Sequence, residues 1–458
     1  MPDYDAVVIG AGQAGPPLAM RLAGAGMKVA VIERADVGGT CVNTGCTPTK
    51  TMVASARAAH MVRRAAEYGI MTDGGLRTDM KRVKARKDAI VEQKRQGLRS
   101  SLEATENCIL LRGHARFMSA HEIDVGGALL RAGRCFVDVG ARGVVPDLPG
   151  LDQVPHLDNA SLMQLDTLPG HLVIMGGSYI ALEFAQMFRR FGSEVTVVER
   201  GPRLVPREDE DVSSAIQAIL EAEGIAIHLG AKVTSVTRRG NGIAVVIEGA
   251  PDIAGSHLLL AVGRRPNTDD LGLDAAGVRR DKHGYIEVDD ELRTNVPNIW
   301  ALGDCNGRGA FTHTAYNDFE IVAANLLDGD ARRVSDRIPA YAIYIDPPLG
   351  RVGMTEAQAR QSGRRVLVGQ RPMTQVARAI EKGETQGFMK LLVDADTKQF
   401  LGASILGPGG DEVVHSVLDL MAAKAPYTIM QRAVHIHPTV SELLPTVLGA
   451  LRPLQEAT

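Results

Sequence analysis

The sequence predicts an α/β chain of about three domains, the first two built on one repeated βαβ pattern and the last of α+β type. Three observations carry this. An apolar strand, a small-residue turn, a helix, a glycine and a second strand ending in Glu-Arg run over residues 6–34 and again over 172–200. The first glycine of the turn lies 23 positions before the acidic residue in both copies, Gly10 to Glu33 and Gly176 to Glu199. That is the spacing of a Rossmann-like unit that binds a dinucleotide. From about residue 335 the pattern becomes strands and helices with no such turn.

Gly10 permits the tight turn, Gly12 lets backbone approach a pyrophosphate, and Gly15 lets the helix pack close to its strand. Anions then sit at the helix N-terminus, where free N–H groups and the dipole favour them. Glu33, at the end of the second strand, accepts bonds from ribose hydroxyls. Pro16 and Pro17 fit the first turn of a helix. The second copy has Gly176, Ser178 and Ala181 at the three small positions. Two units with matched acidic residues imply two dinucleotides, the arithmetic of a flavoprotein that accepts hydride from a nicotinamide. Between the units, residues 51–106 are rich in Ala, Arg, Lys and Glu and predict helix, whereas 107–140 predict short strands with glycine turns. The proline-rich stretch 143–155 suits a domain crossing. Strand-like runs follow at 257–267 and 298–309.

Composition narrows the partners. With 45% hydrophobic and 23% charged residues the chain is an ordinary globular protein, and a net charge of −3 gives no pull toward nucleic acid or anionic membrane. The N-terminus enters an apolar strand at once and no apolar run approaches the ~20 residues of a membrane span, so neither a secretory leader nor a membrane partner is expected. A cytoplasmic location is expected. The five cysteines, Cys41, Cys46, Cys108, Cys135 and Cys305, are too few for a disulfide scaffold.

Cys41 and Cys46 stand in the stretch GGTCVNTGCTPTK, residues 38–50. In a regular helix their Cα atoms would lie roughly 8–9 Å apart, and a disulfide fails above ~7 Å. A bond between them requires an irregular helix. Gly45 permits distortion, and Pro48 disfavours helix at Thr47. A small ring of this kind suits a redox disulfide. Two buried free thiols, or half of a metal site, are the alternatives. A zinc site needs two more ligands nearby; no second cysteine pair exists and His60 stands alone, so no metal site is expected.

The GGTCVNTGCTPTK stretch resembles the redox-active segment of the FAD-dependent pyridine nucleotide–disulfide oxidoreductases, the family of dihydrolipoamide dehydrogenase, glutathione reductase and mercuric reductase. The resemblance covers almost the whole chain. It includes both glycine turns, Ala301-Leu302-Gly303-Asp304, and His437-Pro438-Thr439-Val440-Ser441-Glu442. It implies an FAD-binding domain over 1–148, an NAD(P)-binding domain over 149–267, a second part of the FAD-binding region over 268–334, and a C-terminal dimerisation domain over 335–458. It implies that Cys46 lies against the flavin as the charge-transfer thiolate and that Cys41 attacks substrate. Lys50 stands near the reactive flavin nitrogen with Glu183 as its acidic partner, Tyr179 covers the nicotinamide pocket, and Asp304 bonds a ribityl hydroxyl. Gly39, Thr40, Gly140 and Gly303 join the FAD site, and Arg200 and Gly263 the NAD(P) site. His437 is the acid/base, oriented by Glu442 and delivered from the other subunit of a homodimer. His435 is left structural, and Cys108, Cys135 and Cys305 inert.

Glu199 favours NADH, because a carboxylate welcomes ribose hydroxyls and repels a 2′-phosphate; Arg200, Arg203 and Arg207 leave NADPH open. Mercuric reductases carry a C-terminal cysteine pair and a tyrosine in place of His437. The tail here, LGALRPLQEAT, has no cysteine, which favours a small disulfide or another two-electron acceptor that needs a proton. The segment DPPLGRVGMTE, 346–356, looks most like a mercuric-reductase-like branch that has been linked to reactive-chlorine resistance and to metal-ion reduction, so a metal-ion acceptor stays open. The other readings are dihydrolipoamide dehydrogenase, running the same path backwards, and a flavin-bound redox sensor.

Overall fold

The computed structural model describes residues 2–71 and 75–455. The helical run expected over 51–106 crosses residues 72–74, and the tail without cysteine runs past 455; those parts lie outside the described residues.

The first unit forms as its periodicity requires. Strand β1 (Asp3–Ile9) pairs in parallel with β2 (Val29–Glu33), and helix α1 (Gly15–Gly24) connects them with Pro16 and Pro17 in its first turn. Strand residues alternate between faces. Ala6 and Val8 enter one apolar cluster with Leu18 and Leu22 of α1, while Val7 and Ile9 enter another with Phe117 and Ile123. Both faces are covered over Ala6–Ile9, so that part of β1 reads as an unbroken apolar run.

The chain then makes α2 (Gly39–Asn43), α3 (Cys46–Arg63) and α4 (Met80–Glu103). The helix expected over 51–106 is therefore two helices. A short 3₁₀ turn over Ala65–Tyr68 ends on Gly69, whose φ of 76° stops the first. The Asp79 side chain caps the second by accepting from Arg82 N–H at 3.2 Å.

Strands β3 (Cys108–Arg112), β4 (Ala115–Phe117), β5 (Glu122–Val125) and β6 (Ala128–Val137) complete a sheet of order β3-β2-β1-β6-β5-β4, before β7 (Ala141–Gly143). The second unit repeats the first. After a short helix α5 (Asn159–Leu162) come β8 (His171–Met175), α6 (Tyr179–Phe191), β9 (Glu194–Val198), α7 (Glu210–Ala222) and β10 (Ala226–His228). Three antiparallel strands, β11 (Val233–Arg239), β12 (Gly242–Ile247) and β13 (Ile253–Gly255), lead to β14 (His257–Leu260), which closes the parallel order β10-β9-β8-β14. Then β15 (Arg264–Pro266) pairs back with β7, and β16 (Ile299–Ala301) joins the first sheet alongside β6. The first sheet is thus built from both sides of the second unit.

Helix α8 (Thr312–Ala323) precedes the last region. There β17 (Ala340–Ile343), β18 (Leu349–Gly353), β19 (Val366–Pro372), β20 (Phe388–Asp394), β21 (Phe400–Leu406) and β22 (Arg452–Pro453) form a six-stranded antiparallel sheet of order β17-β18-β21-β20-β19-β22. One apolar cluster joins Met52 of α3, Phe184 and Phe188 of α6, Ile343 of β17 and Phe388 of β20. The three regions therefore share packing around the site described next. Among the described residues no helix is long and apolar enough to cross a membrane.

Candidate active site

A cavity of about 1120 Å³ opens where these regions meet, and Gly10, Gly12 and Glu33 line one end of it. Gly10 has φ of 105°, and a Cβ there would stand 2.1 Å from the Asp138 carbonyl oxygen, so only glycine fits. Glu33 accepts from Ala11 N–H at 2.9 Å and from Ala35 N–H at 2.8 Å, which fixes its carboxylate at the lip of the turn. A Cβ on Gly39 would meet Gly12 Cα at 2.8 Å; this close approach brings Gly39 and Thr40 onto the same wall. Gly140 and Asp304 line it too. Gly15 lies behind the turn, donating its N–H to Asp138 Oδ2 at 2.8 Å, and Gly303 donates to Asp318 Oδ2 at 2.8 Å.

The two cysteines face this cavity from different helices. Cys41 lies in α2 and Cys46 opens α3, with Thr44 and Gly45 non-helical between them. The helix is broken, as a close pair requires, but Thr47 is helical. Pro48 falls in the first turn of α3, where N–H groups have no intrahelical partner to lose, so the break sits at Thr44–Gly45 instead. Both sulfurs are free thiols. The hydrogen bond from Cys41 is the main cause that lowers Cys46 to about 6; Thr312, whose Oγ1 is 3.1 Å from the Cys46 sulfur, and the Lys50 charge add to it against burial. Cys41 moves the opposite way, raised by that same hydrogen bond, by burial and by the negative charge on Cys46. These effects together favour the charge on Cys46 and the proton on Cys41.

One turn along α3, Lys50 Nζ lies 2.7 Å from Glu183 Oε2 of α6, and the ring of Tyr344 stands 4.5 Å from the ammonium. Glu183 is 3% exposed; its other oxygen accepts from Tyr344 N–H at 3.0 Å. That carboxylate ties α3, α6 and the start of the last region together. Asp304 Oδ2 pairs with Arg264 Nη1 at 2.9 Å, and burial raises its carboxyl. Tyr179, the first residue of α6, lines the cavity with its ring 5.7 Å from Phe311, and burial raises its hydroxyl. Thr312, Arg264, Tyr344 and Asp138 were not singled out from the sequence. Arg264 had a signal, as it stands in the AVGRRPN run; Thr312 comes from 266 positions away and had none.

The second turn lies outside this cavity. Gly176 N–H donates to Val198 O at 2.9 Å, Ser178 precedes α6 without a side-chain cap, and Ala181 is fully buried. Glu199 accepts from Gly201 N–H at 2.6 Å, and a Cβ on Gly177 would meet its Oε2 at 2.9 Å, so the carboxylate stands against the turn. Arg200 is exposed, and Gly263 has φ of 128°. His437 and Glu442 do not line the cavity either. The imidazole Nδ1 lies 3.0 Å from both Glu442 oxygens, and the His437 side chain is 72% exposed. Burial raises the Cys135 thiol to about 12 and Cys305 higher still; Cys305 donates to Leu302 O at 3.2 Å.

The family described as "Pyridine nucleotide-disulphide oxidoreductase" matches residues 4–318, and its dimerisation domain matches 339–448. The chain belongs to the pyridine nucleotide–disulfide oxidoreductases. Members of this family are FAD-dependent and use NAD(P)H. A relative from Escherichia coli, "Probable pyridine nucleotide-disulfide oxidoreductase RclA", is 38% identical over 453 residues, covering 97% of this chain and 98% of its own. Its solved structure, "HOCl-induced flavoprotein disulfide reductase RclA", superposes with a TM-score of 0.90 over 97% of this chain and 99% of that one, as does its Cu(II) complex. A mercuric reductase of Streptomyces lividans is 34% identical, covering 96% of this chain and 94% of its own. A dihydrolipoyl dehydrogenase of Thermus scotoductus is 32% identical, covering 98% of each.

Proposed function

We propose that this oxidoreductase draws an electron pair from a nicotinamide dinucleotide, stores it in the Cys41–Cys46 dithiol, and delivers it to a small disulfide or another two-electron acceptor. One observation carries the reading: Cys41 and Cys46, with Lys50 one turn along from Cys46, face the cavity that the Gly10–Gly15 turn serves.

The residues fit a bound FAD. The turn that only glycine permits and the Glu33 carboxylate suit its pyrophosphate and ribose, and Gly39, Thr40, Gly140 and Asp304 line the remaining length. When bound, FAD supplies the path by which the nicotinamide's electron pair reaches the sulfurs. Lys50, fixed by Glu183, places a cation there. Cys46 is ionised because Cys41, Thr312 and Lys50 all favour its charge. Cys41 keeps its proton, so it needs a base before it attacks. His437, held by Glu442, is that base, and its exposure suits delivery into the cavity of a second copy. Deprotonated Cys41 attacks one sulfur of the substrate disulfide, and the leaving thiolate takes the proton from the imidazole. Cys46 then displaces the second substrate thiolate, which takes a proton from solvent, and the Cys41–Cys46 bond forms. Two electrons from NAD(P)H open it again.

NADH is the preferred donor in this reading, because Glu199 stands against the second turn whereas Arg200 points to solvent and Arg203 donates to the Pro206 carbonyl at 3.1 Å. The relative solved with Cu(II) supports including a metal ion among the acceptors. The experiment is turnover with NADH and NADPH against a panel of disulfides, lipoamide, Cu(II) and Hg(II), run with wild type and Cys41→Ser together. Disulfide reduction that vanishes in Cys41→Ser is the expected result. Full disulfide activity in that variant removes the dithiol mechanism.

A further inference from the structure

The first glycine turn contains a group that the mechanism does not use. Asp138 directly follows β6, and its side chain is threaded through the turn. Its Oδ2 accepts from Gly15 N–H at 2.8 Å, and the neighbouring Ala14 N–H also favours its charge. A Cβ on Gly12 would meet that oxygen at 2.8 Å, and a Cβ on Gly303 would meet Oδ1 at 3.0 Å. The carboxyl thus lies between the two glycine loops at the N-terminus of α1, the end of the helix that favours an anion. Asp138 is 6% exposed and also lines the cavity.

The charges around it are unfavourable. Asp304 and Asp318 face Asp138 from beyond the Gly303 loop, and both oppose its ionisation. Glu33 stands across the turn, bonded to Ala11. The guanidiniums of this region are engaged by the neighbours: Arg264 by Asp304 at 2.9 Å, and Arg337 by Asp318. Among the described residues Asp138 has no ion-pair partner. Burial and the two aspartates hold its carboxyl well above the usual carboxylate range, against the two backbone N–H groups that favour the anion.

We propose that Asp138 couples occupation of the first dinucleotide site to a proton: the pyrophosphate that this turn takes and an ionised Asp138 compete for one helix N-terminus, so the dinucleotide is held by the protein with Asp138 neutral. This rests on the reading of the turn as the FAD site. By linkage, an anion beside Asp138 strengthens its hold on the proton, and ionisation of Asp138 weakens the hold on the anion by the same factor.

The test is the Kd of the whole 458-residue chain for FAD, read from flavin fluorescence from about pH 5 to about pH 9, for wild type and Asp138→Asn. Asparagine keeps an acceptor for Gly15 N–H and cannot ionise. The wild-type Kd is expected to rise with pH relative to that of the variant, the ratio changing on the order of tenfold or more, since like charges at protein distances repel at least that strongly. Melting of the flavin-free proteins gives a second readout. A carboxyl raised in the folded state contributes stability below its unfolded value and loses it as pH rises through the folded one. The wild type must therefore lose stability with rising pH relative to Asp138→Asn. Parallel Kd curves overturn the inference and leave the FAD reading standing. Failure of both proteins to take up FAD at any pH overturns the FAD reading and the inference with it.

Discussion

Replacing Thr312 with valine removes the hydroxyl 3.1 Å from the Cys46 sulfur while keeping the side chain's shape. A hydrogen bond to a charged acceptor contributes about 1.5–3 kcal/mol. Cys46 is exposed to the cavity, so water there replaces part of what the hydroxyl gave, and the lower end of that range applies. About 1.4 kcal/mol is one pKa unit. Cys46, lowered to about 6 in the wild type, should then titrate near 7. The thiolate fraction at neutral pH falls from about nine-tenths to about one-half. The assay is the rate of iodoacetamide alkylation of the reduced protein against pH, with Cys46 followed by peptide mass spectrometry. Thr312→Ser should restore the wild-type midpoint. A valine variant whose midpoint does not move would show that the hydroxyl does nothing for the thiolate, and that Cys41 and Lys50 suffice.

Other perturbations have outcomes of their own. Gly10→Ala forces a Cβ to within 2.1 Å of the Asp138 carbonyl at φ of 105°; the variant should purify without bound flavin, and a yellow protein with a normal visible spectrum would refute the role given to this turn. Glu183→Ala leaves Lys50 without its partner and Tyr344 N–H without its acceptor. With the Lys50 side chain 32% exposed, the loss should be about 1–3 kcal/mol by chemical denaturation, and an unchanged midpoint contradicts it. His437→Ala should lower disulfide reduction by about 10²–10⁴-fold and leave the first reduction by NADH intact in single-turnover kinetics. Equal loss in both half-reactions would place His437 elsewhere in the chemistry.

Features set by the backbone were legible in the sequence, and features set by distant contacts were not. The Gly10 turn was readable because no other residue tolerates its conformation, and the same constraint marked its second copy at Gly176. The thiol pair was readable because it is local, five positions apart, whereas the His437–Glu442 pair, equally local, was suggested by resemblance. Lys50 and Glu183 are 133 positions apart and Thr312 is 266 from Cys46; the packing of α3 against α6 joins the first pair, which resemblance had suggested, and the meeting of the first residues of α3 and α8 joins the second. The helical run over 51–106 hid its interruption because Gly69 was outweighed by the helix formers on either side. Pro48 misplaced the break between the cysteines, since a proline in a first turn ends nothing. Asp138 carried no signal, although it sits two residues before Gly140 at the end of a strand. A buried aspartate is recognised only when the loops that enclose it are known.

The most direct test of the account counts thiols. The oxidised protein is given one equivalent of NADH without oxygen, and newly alkylated cysteines are mapped. Two should appear, Cys41 and Cys46, with Cys108, Cys135 and Cys305 unchanged. Consumption of NADH with no gain of reactive thiol at either position would contradict the claim that this pair carries the electrons.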